Sequence, residues 1–194
     1  MSMDEVTMNV GAVGELQNMN VVLNPKSHCG DDKNVPKGSK ESNDTIDTIV
    51  IDTQGRLAAG TSTNGVNRKI PGHARNSPVV GGGEYANQDV SAAICTGDED
   101  IMMRFLPSFL AMEKIRRGVH PSRATSNAIL RITYHYPNFF GGIVTLNKLG
   151  EYEAACNEED IFPYTIVSPT LSPRVLSVPC SNLQYYKNTY QIFQ

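Results

Sequence analysis

The stretch from Asn43 to Gly65 constrains the fold more than any other part of this chain. Two short apolar runs, Ile49 to Ile51 and Leu57 to Ala59, flank a polar break at Asp52 to Gly55, the pattern of a β-hairpin. A polar, proline-dotted stretch precedes it, and Asp44-Thr45 stands where order should begin. A threonine at a strand edge, just after a cleavable aspartyl bond, becomes a nucleophile only if that bond breaks.

The rest of the chain sets the frame. At 194 residues it suits one domain with a sizeable core. A formal net charge of −3, a pI near 5.8 and the lack of a basic cluster with interleaved aromatics argue against nucleic acid as a partner. No apolar stretch has the length of a membrane span. Asp4, Glu5, Glu15, Gln17 and Asn18 interrupt any secretory signal in the opening residues, so the chain as written is expected in the cytosol. The four cysteines (Cys29, Cys95, Cys156, Cys180) form no Cys-x-x-Cys pair, and the four histidines lack metal-ligand spacing. Cys156 and Cys180 bracket a loop-rich segment that an oxidising compartment would let them close; a buried free thiol is the plain reading of Cys95.

Along the chain, residues 1–44 read as half structured and mobile, with a polar run from Asn24 to Ser42. After the hairpin, Asn64 to Gly83 is a loop with three turn signals. Val90 to Thr96 reads as a small buried strand. From Asp98 a helical pattern begins, with acids in its first turn and Pro107 kinking it or dividing it in two. A second helix is expected from Pro121 or Ser122 to about Tyr136, then a second hairpin, Gly141 to Asn147 and Glu151 to Ala155. Residues 158–194, with prolines at 163, 169, 173 and 179, define no element by pattern. The order implies a sheet with helices on one face (α+β), whose other face asks for a layer the chain does not contain.

Three features permit chemistry. A freed Thr45 would carry its own base, since an α-amine has an unperturbed pKa of about 7.7–8.0. Thr63 ends the strand paired with the one Thr45 starts, within reach of the Thr45 hydroxyl. Thr96-Gly97, where a strand gives way to a helix, offers an N–H and a hydroxyl to an oxyanion. Each also has an ordinary reading as a turn, a hairpin end or a helix entry, and spacing alone decides none of them.

Together these residues resemble the glycosylasparaginases (aspartylglucosaminidases) of the N-terminal-nucleophile hydrolase superfamily. The likeness rests on Asp44-Thr45-Ile46, Ala58 to Gly65, Lys69-Ile70-Pro71-Gly72, Ser77-Pro78, Thr96-Gly97, Met103 to Ser108 and Ala154-Ala155-Cys156-Asn157. It runs ungapped from about residue 44 to 157. It implies a four-layer αββα sandwich, present here only in part, with a catalytic β-chain unit at 45–157, an α-chain remnant and linker at 1–44 and a poorly defined tail at 158–194. It also implies self-cleavage between Asp44 and Thr45, Thr45 as nucleophile, Thr63 as its partner, and Thr96 and Gly97 as oxyanion hole. The reaction implied is hydrolysis of the amide between N-acetylglucosamine and asparagine in glycoprotein degradation, without a cofactor. The family location is lysosomal, and the family assembly is two α and two β chains.

The departures are specific. Where the family reads Pro-Gly-Arg-x-Gly-Asp-Ser-Pro, this chain reads Pro71-Gly72-His73-Ala74-Arg75-Asn76-Ser77-Pro78. The family's arginine and aspartate hold the substrate's α-carboxylate and α-amine. Here His73, Arg75 and Asn76 are the candidates for that work, and Asn76 gives up a charge-assisted contact. Asn43 stands where a histidine often precedes the aspartate. By the same resemblance, Thr125 and Thr145 occupy positions where family members can carry a disulfide, while Cys156 and Cys180 are still available to pair. Most of the α chain has no counterpart, and there is no tryptophan. Low activity of this chain alone is therefore expected. A catalytically impaired relative and a threonine hydrolase acting on isoaspartyl peptides or asparagine stand as alternatives.

Overall fold

The computed structural model describes residues 19–23, 44–65, 71–157 and 161–180. Two antiparallel sheets form the body. Strands β1 (Met19–Leu23), β2 (Asp44–Ile51), β3 (Leu57–Gly65), β8 (Ile161–Ser168) and β9 (Leu171–Pro179) make one, in the order β3-β2-β1-β8-β9. Strands β4 (Glu84–Ala86), β5 (Ser91–Gly97), β6 (Gly141–Asn147) and β7 (Tyr152–Asn157) make the other, in sequence order. Between β5 and β6 run helices α1 (Glu99–Met102), α2 (Pro107–Arg116) and α3 (Pro121–His135).

The β2–β3 hairpin follows from its turn. Asp52 accepts backbone bonds from Gln54 and Arg56, and Gly55 takes a positive φ of 74°. Strand alternation then puts Ile49 and Ile51 on the inner face, where they meet Leu57, Ala92, Ile94, Val144 and Leu146. Phe162, Tyr164 and Ile166 of β8 complete this core between the sheets.

β5 and β6 are buried along their whole length because both their faces are covered. The faces pointing away from the first sheet carry Ala93, Cys95 and Ile143, which pack on Met102, Ala111, Ala128, Ile129 and Ile132 of the helices. Small side chains on β5 let these layers close. Gly97 is the tightest case: at φ 137°, a Cβ there would lie 2.3 Å from the Gly141 Cα.

Pro107 divides the first helical pattern in two. Leu106 adopts a left-handed conformation (φ 49°) and Pro107 starts α2 at its first turn. α3 matches its expected span, with Pro121 at the start and a cap from the His120 side chain.

Three expectations change. Met19–Leu23, read as part of a mobile stretch, is a strand between β2 and β8. Residues 161–179, given no element from the sequence, form two strands, and a disulfide from Cys180 to Cys156 ties the end of β9 to β7. The partner layer thought to lie outside the chain is this sheet. The layers are helix, sheet and sheet; among the described residues no helix covers the outer face of the five-stranded sheet, where Ile46 is exposed. Of the four layers expected, three are seen among the described residues. The rest of 1–44, with the Asn24–Ser42 run, and Cys29 lie outside the described residues.

Candidate active site

The site forms where the β2–β3 hairpin faces the end of β5. In the hairpin register Thr45 stands opposite Thr63, one residue inside a register shift between Asp44 and Thr45. Their hydroxyl oxygens are 2.8 Å apart, and Thr45 is 98% removed from solvent, with 2% exposure. The contact expected between these two side chains is present.

A third side chain joins them. Glu99, in the first turn of α1, is fully buried, and its Oε1 accepts from Thr45 Oγ1 at 2.9 Å and lies 3.4 Å from Thr63 Oγ1. Read as sequence, Glu99 was one of three acids suited to a helix start. The helix-capping part of that reading belongs to Asp98, whose side chain accepts from the Ile101 N–H. Glu99 instead turns inward. Its neighbours in sequence gave no sign of this; only the packing of α1 against the hairpin does.

Thr96 and Gly97 close β5, paired with Gly142 and Gly141 of β6. Thr96 is buried, and Gly97 is the residue that lets the two strand ends touch. The helix starts two residues later than Gly97, at Glu99, with Asp98 between as cap.

The loop residues go three separate ways. His73 is exposed and meets Asp100, Nε2 to Oδ1 at 3.1 Å. Arg75 is buried, with its guanidinium 3.9 Å from Glu99 Oε2 and 4.0 Å from Asp100 Oδ2. Asn76 points at β5: its Nδ2 donates to the Cys95 carbonyl at 3.4 Å, while its main-chain oxygen accepts from Val79 and Gly83. Asn76 therefore organises the turn beneath the site, and its Oδ1 is buried without a partner.

Two further buried groups shape the electrostatics. Asp47, two residues from Thr45 on the same inner face, has its pKa raised to about 8, mainly by burial and further by Glu99 and Glu84. Thr61, across the ladder, pulls the other way, although neither Asp47 oxygen makes a hydrogen bond of ordinary geometry. Burial likewise pushes the Cys95 thiol far up, and it donates to the Gly82 carbonyl as an inert core residue. Among the described residues, no group of His, Cys, Asp and Glu is placed to hold a metal ion, and no helix is long and apolar enough to cross a membrane.

Two packed antiparallel sheets bring the hydroxyl of buried Thr45 against that of half-buried Thr63 at the start of one hairpin. Residues 15–172 match the asparaginase family, and the chain belongs to it. The match extends beyond the 44–157 span of the sequence resemblance, taking in β1, β8 and the start of β9. A Drosophila grimshawi protein named as an N(4)-(beta-N-acetylglucosaminyl)-L-asparaginase is 42% identical over 84% of this chain and 45% of its own length. The Mus musculus protein of that name is 44% identical over 74% of this chain and 44% of its own length. A Drosophila yakuba relative is 46% identical over 67% and 33%. The chain thus spans less than half the length of each.

Proposed function

We propose that this chain carries the catalytic residues of an amidohydrolase that cleaves the bond between N-acetylglucosamine and asparagine in glycoprotein degradation. The observation that carries the reading is the Thr45–Thr63 hydroxyl pair, 2.8 Å apart and partly buried, beside the Asp44–Thr45 junction. The names of the relatives supply the substrate class.

In this reading a cut after Asp44 frees Thr45. Its hydroxyl attacks the side-chain amide carbon while its α-amine takes the proton. The C–N bond breaks, the glycosylamine leaves, and water hydrolyses the ester to return aspartate and Thr45. Thr63 orients the nucleophile, and Thr96 and Gly97 face the developing oxyanion. His73, Arg75 and Asn76 meet the amino-acid end of the substrate. No cofactor takes part, and the working assembly pairs two α with two β chains in the lysosome, as in the family.

A second reading, a catalytically impaired relative, is favoured by the loop. Asn76 is committed to the Cys95 carbonyl and His73 to Asp100, so neither is placed as a ready substrate clamp.

Intact mass under denaturing conditions, with release of N-acetylglucosamine from glycosyl-asparagine, tests the proposal. Two pieces, the larger beginning at Thr45, and product release that Thr45→Ala abolishes are expected. A chain that stays at 21.2 kDa for days and releases nothing overturns it. Asparagine and an isoaspartyl dipeptide in parallel assign the substrate.

A further inference from the structure

We propose that Glu99 is the proton acceptor for Thr45 in the uncut chain, and so drives the cut that the proposed function requires. The inference rests on that reading for its purpose and on the geometry for its content.

Before the cut, the Thr45 nitrogen is an amide within β2 and cannot act as a base. Some other group must take the hydroxyl proton. Among the described residues the hydrogen-bonding partners of Thr45 Oγ1 are Thr63 Oγ1 at 2.8 Å and Glu99 Oε1 at 2.9 Å. A hydroxyl holds one proton. Because Thr45 donates to Glu99, the short contact between the threonines is filled by the Thr63 proton. Thr63 Oγ1 also lies 3.4 Å from Glu99 Oε1, a longer path for its proton than the 2.8 Å to Thr45, so the shorter contacts lead from Thr63 to Thr45 to Glu99.

The setting suits Glu99 to the task. It is fully buried, so water does not compete for it, and its Oε2 has no hydrogen-bond partner. The Arg75 guanidinium, 3.9 Å from that oxygen, supplies a nearby positive charge without occupying it by a hydrogen bond. Asp47, the other acid on this face, keeps its own proton up to about pH 8. The ladder is also irregular at the Asp44–Thr45 link, so regular pairing does not hold this peptide as it does the rest of β2.

The step balances without a co-reactant other than water. Thr45 Oγ1 bonds to the Asp44 carbonyl carbon as its proton passes to Glu99 Oε1. The C–N bond then breaks, and the nitrogen takes that proton, leaving an ester and a free amine. Water hydrolyses the ester to the Asp44 carboxylate and the Thr45 hydroxyl.

Glu99→Gln keeps the shape and removes the base. Appearance of the piece beginning at Thr45 should slow at least about a hundredfold, the scale of general-base catalysis. Glu99→Ala should cut as slowly and recover in part with added formate, which a merely structural role would not allow. Cutting by Glu99→Gln within about threefold of the parent, or no effect of formate on Glu99→Ala, overturns the inference and leaves the proposed function standing. A β-lactone that acylates Thr45 in the uncut chain gives a second readout. If the parent never cuts, the proposed function and the driven cut both fall, and labelling at Thr45 that Glu99→Gln lacks upholds Glu99 as proton acceptor alone. Equal labelling of both, or labelling of neither, overturns the inference.

Discussion

Thr125 of α3 and Thr145 of β6 share a hydrogen bond between hydroxyls 2.9 Å apart, and neither residue exposes any surface. Thr125 Oγ1 also donates to the Pro121 carbonyl at 2.7 Å, so the Thr145 hydroxyl is the donor in the pair. Thr125→Val would strand that donor in the core, at a cost of about 1–3 kcal/mol. Replacing both by Val removes both polar groups and should cost less than the sum of the single changes. Urea unfolding of the four proteins checks this, and strict additivity would refute it.

Thr63 tests the geometry of the proposed nucleophile, Thr45, from its other side. Thr63→Val removes the hydroxyl that lies 2.8 Å from Thr45 Oγ1 across the ladder. It should slow Thr45-dependent product release on the order of a hundredfold, while Thr63→Ser retains most of it. Equal loss in both variants would point to packing of the methyl group instead.

Stability should fall as pH rises, and Asp47 gives the sign. Its folded pKa of about 8 lies above the ordinary 3.8. Between those values the folded chain holds a proton that the unfolded chain has released, so stability declines across this window and levels off above it. Asp47→Asn should flatten the decline and gain on the order of 2–4 kcal/mol near pH 7. Melting temperatures of the two proteins from pH 5 to pH 9 provide the measurement; parallel curves would count against it.

Gly97→Ala should fail to fold well. The added methyl would sit 2.3 Å from Gly141 Cα and 2.4 Å from the Phe140 oxygen, both main-chain atoms that cannot swing away. Adding the cost of a positive φ, the loss is about 2–4 kcal/mol. Yield and cooperativity of thermal unfolding report it, whereas Gly60→Ala, with open space around it, should behave like the parent.

The hairpin and its two threonines were legible because their information is local. A turn of fixed type and a period of two set which residues face each other, and Thr45 and Thr63 lie on that ladder. Glu99 was hidden because an acid in a first helical turn is ordinary, and its inward path depends on where α1 docks. β8 and β9 were hidden by prolines, and the pairing explains why those are tolerated. Pro163 lies beyond the part of β8 that pairs with β1, at Thr165 to Val167, while Pro173 and Pro179 sit on the edge strand β9. β1 was hidden because its partners are distant in sequence.

The sheet order has a consequence for any break after Asp44. β1 lies before that bond, and both its neighbours, β2 and β8, lie at or after it. The small piece would remain laced into the sheet along both edges, and the molecule would keep its outline and its mass in native solution. Only denaturant would reveal the nick. The two pieces then make a natural split protein, in which a synthetic peptide spanning Met19–Leu23 competes for the vacated slot.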